Sequence, residues 1–259
     1  MTAPIASLLS GAAEAAAFDN IHNLRDLGGL RSRDGRRVRA GRLFRSGSPG
    51  LASAADIVRL QALKLDAVID FRSPEEKSEQ EAAFAAAFDW IALPVMEGSM
   101  SMATLVPRLQ AATRQEMDAF MLQVYREFPL KHQRAFGSYM QQAEAGRNLL
   151  YHCSTGKDRA GFATMLLLSA LEVEPEAIMA NYLESNVHNQ RLIHSLRGRL
   201  ATLGVDPEVA MPMLEVRAGY LEAALHSIEQ EWGGTGRFLS EALGIDLQRV
   251  QSHYLEEAS

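Results

Sequence analysis

The spacing of hydrophobic and polar positions changes several times along this chain, and the changes divide it into elements. Residues 20–47, NIHNLRDLGGLRSRDGRRVRAGRLFRSG, alternate apolar with basic positions about Asp34-Gly35, a pair suited to positive backbone angles, which predicts a β-hairpin opening to the fold. ASAADIVRLQALKL then places Ile57, Leu60, Leu63 and Leu65 at helical spacing behind Ser53 as N-cap, and DAVIDF after it predicts a buried strand. SPEEKSEQEAAFAAAF starts like a second helix, with Ser73 as cap, Pro74 at the first position and acids in the first turn, ahead of a short strand at DWIALPV.

From residue 97 the alternation of helix and strand stops. Residues 97–146 are rich in Met, Gln and Ala and are broken by Pro107 and Pro129, which predicts two or three helices with no strand between them. RNLLYHCS supplies the last strand, and RAGFATMLLLSALEV a helix apolar enough to be buried on most sides. The rest predicts helices alone, with breaks near Gly204 to Pro207, at Pro212, at Gly233-Gly234 and at Gly244. The pattern calls for an α/β fold with a mostly parallel central sheet flanked by helices and a helical C-terminal half. It reads as a leader over residues 1–19 followed by one domain over 20–259, without repeats or a low-complexity linker.

Composition narrows the partners. With 26 Lys+Arg against 32 Asp+Glu, the formal charge of −6 offers no general attraction to nucleic acid or anionic membrane, so any basic site is local. A single cysteine rules out an intramolecular disulfide framework. The N-terminal stretch has no Lys or Arg ahead of its apolar residues, which is poor for a secretory signal, and no apolar run approaches the roughly eighteen residues of a membrane span. A soluble, cytoplasmic protein without stable membrane insertion is expected, and the pattern leaves the oligomeric state open.

That single cysteine carries the chemistry. In LLYHCSTGKDRAG an apolar strand leads into His152, Cys153, five further residues, Arg159 and then a long apolar helix. Such a loop curls around an anion: the backbone N–H groups of Ser154, Thr155, Gly156, Lys157, Asp158 and Arg159 turn inward, the helix dipole sits beneath, and Arg159 offers a planar fork to two phosphate oxygens. The same field favours a thiolate nucleophile at Cys153. Gly156 lets the backbone turn tightly under the ligand, Gly161 lets the helix pack close to the strand, and His152 orients the loop by hydrogen bonding. A lone cysteine is more often buried and inert, but His, Gly, Arg and Gly at these four spacings reverse that expectation.

HCSTGKDRAG resembles the signature of the cysteine-dependent phosphatases, His-Cys, five residues, Arg. The GKD before Arg159 is similar to the atypical bacterial tyrosine phosphatases, and NLRDLGG, GRLFRSG, VIDFRSPEE and YLEAALHSIEQEWGGTGRFLSEALGI extend the resemblance over most of residues 20–247. It implies a phosphatase-like sheet, no metal and no cofactor. The substrate it implies is a phosphotyrosyl protein, with phosphoserine, phosphothreonine and phosphoinositides accepted by some members. Carried over, Cys153 attacks phosphorus to give a phosphocysteine, and Arg159 binds the phosphoryl oxygens. None of the seven histidines forms a tight metal-ligand spacing.

A leaving phenolate or alkoxide needs a proton. Asp158 is the first candidate, the resemblance implying this role for the loop aspartate. Asp70, at the end of its strand, is the second, because the carboxyl ends of strands face the site in α/β folds; Glu97 is the third. Against these stands a structural reading in which Asp158 pairs with Arg25 or Arg72, and in which Arg25 and Asp26 form an ion pair in a Gly-rich turn. Lys157 adds a positive charge at the mouth that suits phosphoinositide head groups. Many relatives carry Ser or Thr at the position of Ala160, which keeps a slow-turnover phosphate-binding module in view. By position, residues 97–146 resemble the helical lid of some members; Met96, Met100, Met102, Met117 and Met121 would then cover a substrate, the alternative being core at helical spacing.

Overall fold

The computed structural model describes residues 18–96 and 102–257. Most of the expected leader, Glu97 and Met100 lie outside these residues, although Phe18 is already buried in the domain. Two short strands open the fold, β1 (Arg25–Asp26) and β2 (Leu43–Ser46), paired antiparallel with Arg25 opposite Arg45. A turn forms between them, but only Gly35 takes the expected positive angle, φ +88°; Asp34 does not, and its carboxylate accepts from Ser32 Oγ at 2.6 Å, while the arms meet in a single bridge, Arg31 to Arg37.

Helix α1 (Ala54–Ala62) begins on Ser53, whose hydroxyl accepts from Asp56 N while the Asp56 carboxylate accepts from Ser53 N, a capping box. Strand β3 (Ala67–Asp70) follows. The helix expected from Ser73 onward breaks into two 3-10 turns, Pro74–Glu76 and Glu79–Glu81, before α2 (Ala82–Ala87). The starting signals are real, but tertiary partners override the run. The Glu76 and Glu81 carboxylates cap their own short turns at Ser73 N and Ser78 N and also reach Arg159 and Arg72, and Lys77 between them is extended. Strand β4 (Trp90–Ala92) comes next.

Helices α3 (Met102–Ala111), α4 (Arg114–Lys131) and α5 (Gln133–Glu144) fill the strand-free region, with Pro107 and Pro129 held inside α3 and α4 instead of breaking them. Strand β5 (Leu149–His152) runs into α6 (Arg159–Ala170). The remainder is α7 (Pro175–Leu183), α8 (Ser185–His188), α9 (Gln190–Thr202), α10 (Pro207–Leu214), α11 (Ala218–Trp232), α12 (Thr235–Arg237), a π turn at Phe238–Ala242 and α13 (Leu247–Tyr254). Pro212 lies inside α10, whereas Gly233 ends α11 in the left-handed region, φ +71°.

The sheet order is β1-β2-β5-β3-β4, parallel except for β1. The last strand in sequence is thus the middle strand in space, buried on both faces, which explains its unbroken apolar run. On one face Leu149 and Tyr151 join Met121, Tyr125 and Phe128 of α4, Phe136 and Tyr139 of α5, and nearly all of α6. On the other, Leu150 packs with Phe44, Leu60, Val68 and Phe84. In α4 and α5, Met117, Met121, Val124, Tyr125, Phe128, Phe136 and Tyr139 are buried, so these side chains are core at helical spacing. No described helix is long and apolar enough to cross a membrane.

Phe128 is fully buried between Tyr125, Phe136 and Phe162, with ring centroids 5.0, 6.0 and 5.4 Å away. Phe128→Ala is expected to lower unfolding free energy by about 3–5 kcal/mol, measured by urea denaturation; a loss below about 1 kcal/mol contradicts this packing.

Candidate active site

The loop between β5 and α6 lies at the carboxyl end of the middle strand, where α/β sheets place their ligands. Its carbonyls are tied from outside. The Cys153 carbonyl accepts from His152 Nδ1 at 3.3 Å, Ser154 from Ser48 N at 3.0 Å, Thr155 from Asn23 Nδ2 and Asn189 Nδ2, both at 3.0 Å, and Gly156 from Arg45 Nη2 at 2.6 Å. With no cis peptide among the described residues, each N–H lies opposite the preceding carbonyl, so the amides of residues 154 to 157 face the other way, into the loop. Gly156 is required: its φ is +71°, and a Cβ there would lie 2.4 Å from the Ser46 carbonyl.

Cys153 is 2% exposed at the start of this turn. Arg159, the first residue of α6, is buried and carries a carboxylate the sequence reading missed. Glu76 accepts from both terminal nitrogens, at 2.6 and 2.7 Å, and Ser154 Oγ donates to Glu76 at 2.5 Å. Desolvation opposes the Arg159 charge, but the hydrogen bonds to Glu76 and the nearby Cys153 and Asp158 outweigh it and raise its pKa; Glu76 is lowered in return, against its own desolvation. The Phe71 carbonyl at 3.2 Å completes the hold on Arg159 Nη1. The fork is thereby aligned with a carboxylate seated on it, as a phosphoryl group would be.

Asp158 pairs with neither Arg25 nor Arg72, correcting that expectation. Lys157 Nζ reaches its two oxygens at 2.8 and 2.7 Å, and Tyr125 OH donates to Oδ1 at 2.8 Å, with Tyr182 OH donating in turn to Tyr125 at 2.7 Å. Burial and Asp158 keep the Tyr125 phenol protonated, with a pKa well above its ordinary value. Lys157, expected at the mouth, is 3% exposed and folded onto Asp158.

Asp70 has a different setting. It accepts from Arg72 Nε and Nη2, both at 3.1 Å, and from Lys77 Nζ at 3.1 Å. Desolvation, which raises its pKa, is outweighed by His152 and Arg72, and the result is about 2. At neutral pH Asp70 has no proton to give. Arg72 also reaches Glu81 at 3.1 and 2.5 Å, so this pair braces the segment that presents Glu76. Asp26 takes the amides of Gly28 and Gly41 and is raised by burial, while Arg25 extends to Asn181 and Ser185; the expected turn ion pair gives way to two separate roles.

Glu76, Tyr125, Asn23 and Asn189 are the site residues that the sequence reading left out. Asn23 stood inside NLRDLGG and Glu76 inside SPEE, both already singled out for other members; Tyr125 and Asn189 sat in helical stretches with no signal of their own.

A family model described as "Tyrosine phosphatase family" matches residues 16–256. A protein of Cupriavidus necator named "Putative tyrosine-protein phosphatase" is 53% identical over 253 residues, 98% of this chain and 92% of that one. The "Triple specificity protein phosphatase PtpB" of Mycobacterium tuberculosis is 35% identical over 149 residues, 51% of each chain. The mostly parallel α/β sheet, with the loop from Cys153 to Arg159 at its middle strand, is consistent with a phosphatase fold. The chain belongs to the tyrosine phosphatase family and is an enzyme.

His152 gives the site a pH signature. It is wholly buried and desolvation lowers its pKa to about 4, partly opposed by Asp70. The unfolded chain takes up this proton near pH 6.5 and the folded protein only near 4, so stability falls as pH drops through that window. The loss is on the order of 3 kcal/mol. His152→Asn keeps a donor for the Cys153 carbonyl and should flatten the fall, leaving the part due to His188, lowered to about 4 mainly by desolvation, and to His132, lowered for the same reason. Urea midpoints between pH 7 and 4 measure it; equal slopes in both proteins contradict the assignment.

Proposed function

We propose that the protein hydrolyses phosphotyrosine in proteins through a phosphocysteine intermediate. The observation that carries this reading is the loop itself, with inward amides, Cys153 at its start and the aligned Arg159 fork at its end. The phosphoryl group binds between the inward amides of Ser154 through Arg159 and the Arg159 guanidinium, which Glu76 holds in place. The Cys153 sulfur forms an S–P bond while the P–O bond to the tyrosine breaks. The leaving oxygen takes a proton from Asp158. Water then attacks phosphorus, its proton passes to the Asp158 carboxylate, the S–P bond breaks and the thiolate is restored.

We assign the acid to Asp158 in preference to Asp70, because Asp70 lies between two cations, Arg72 and Lys77, whereas Asp158 stands in the loop itself and has one, Lys157. Donation requires one Asp158 oxygen to leave the grip of Lys157 and Tyr125, and an arriving phosphoryl dianion competes for Lys157. Dual specificity is the wider form of the proposal, supported by the name of the mycobacterial relative. Phosphoinositide hydrolysis by the same steps is the alternative, and it too would draw on Lys157. Slow turnover follows only if Ala160, buried in the first turn of α6, delays the second step.

Phosphate release from an aryl phosphate, with chelator present, tests this. Cys153→Ser should lose at least about a thousandfold, and Asp158→Asn about 10²–10⁴-fold in kcat. Asp70→Asn should retain most of kcat while losing stability, since Arg72 and Lys77 lose their counter-ion. Turnover that survives Cys153→Ser overturns the mechanism, and a large kcat loss confined to Asp70→Asn overturns the acid assignment. Phosphotyrosyl peptides should exceed phosphoinositides in kcat/KM; the reverse order selects the lipid alternative. A phosphocysteine that accumulates in place of steady turnover selects the binding module.

A further inference from the structure

The cations around the loop come with carboxylates, with one exception. Arg159 has Glu76 at 2.6 Å, Lys157 has Asp158 at 2.7 Å, and Arg72 has Asp70 at 3.1 Å. Among the described residues Arg45, on β2, has none. Its guanidinium is fully buried and meets only neutral oxygens: the Gly156 carbonyl at 2.6 Å, Asn181 Oδ1 at 3.1 Å and Ser185 Oγ at 3.2 Å, while its Nε has no partner among the described residues. A buried guanidinium without an anion is strongly unfavourable, and arginine resists escape by deprotonation.

Its position says which anion is missing. Arg45 is in register with Tyr151, two residues before Cys153, and its Nη2 lies 3.3 Å from where a Cβ on Gly161 would stand, against the first turn of α6. It therefore sits behind the loop that Arg159 closes from the other end. The titratable groups facing it are Tyr151 of β5, Tyr125 of α4, Tyr139 of α5, Tyr182 of α7, His188 of α8 and Cys153, with Arg25 of β1 sharing Asn181 and Ser185. On the loop side stand the Arg159–Glu76 and Lys157–Asp158 pairs and His152. Burial raises all four tyrosines above their ordinary values and keeps them neutral, and holds His152 and His188 neutral above about pH 4. Of the groups facing Arg45, Cys153 is the nucleophile of the proposed reaction, and its anion would be the missing counter-charge.

We propose that Arg45 is a positioning residue for Cys153: its uncompensated charge behind the loop stabilises the thiolate, and its bond to the Gly156 carbonyl turns the adjoining amide inward. The proposal rests on the phosphatase reading and names the group that prepares its nucleophile. Desolvation works against the Arg45 charge while Cys153 and the tyrosines support it, in keeping with such a pairing.

The test follows alkylation of Cys153 by iodoacetamide against pH, read by intact mass in the full chain, for wild type, Arg45→Lys and Arg45→Met. Arg45→Met should move the midpoint upward by about one pH unit, a roughly tenfold slower reaction at lower pH, and Arg45→Lys should recover most of it. A Met profile that overlays wild type, in protein with native circular dichroism, overturns the proposal. Where Arg45→Met does not fold, the guanidinium nitrogen resonance of Arg45 in wild type decides. It should titrate with the alkylation midpoint and stop doing so in Cys153→Ser; a flat signal in wild type overturns the proposal. Phosphate release measured in parallel separates the two readings. A thiol that titrates as expected without turnover removes the phosphatase reading, and turnover with overlaid alkylation profiles removes only the role of Arg45.

Discussion

A loop that turns successive amides toward a ligand must find partners for the carbonyls it turns away. In this protein the partners are five residues: His152 of the preceding strand, the Ser48 backbone, the side chains of Asn23 and Asn189, and Arg45. They belong to segments far apart in sequence, and the parallel sheet brings them to one end of β5. Without them the loop would leave buried carbonyls unpaired, at a cost of about 1–3 kcal/mol for each group. The anion site is thus as much a product of its back as of its front.

The charges around it obey a related constraint. Arg159, Lys157 and Arg72 are almost wholly buried and each has a carboxylate in contact. Buried charges are tolerated when paired and hydrogen-bonded, so the pairs hold their geometry before any substrate arrives. Glu76 aligns the Arg159 fork, and Arg72, braced between Asp70 and Glu81, fixes the segment from which Glu76 reaches in. The broken helix at residues 74–87 is the backbone consequence: an unbroken helix would have given Glu76 and Glu81 helical partners in place of these arginines.

Much of the architecture was legible in the chain because hydrophobic period is a local property. The strands at 67–70, 90–92 and 149–152, the capped helix behind Ser53 and the buried helix from Arg159 all arise where apolar spacing, caps and glycines agree. Prolines misled where tertiary packing outweighed them: Pro107, Pro129 and Pro212 lie within helices. The methionines of α4 are at core spacing and buried, Met121 in the cluster against the sheet and Met117 with Leu109, Leu200 and Val205.

The sequence by itself determined the strand, the turn and the helix that make the loop, together with the positions of Cys153 and Arg159, since these depend on neighbours within ten residues. Family membership was likewise legible, and the match over residues 16–256 agrees. Only the tertiary structure decided which charges face one another: that Asp158 answers to Lys157 and Tyr125, that Asp70 is held ionised by Arg72 and Lys77, that Glu76 occupies the fork of Arg159, and that Arg45 stands behind the loop with no carboxylate in contact among the described residues. Electrostatic pairing acts through space and depends on burial, and neither distance nor burial is written in the order of residues.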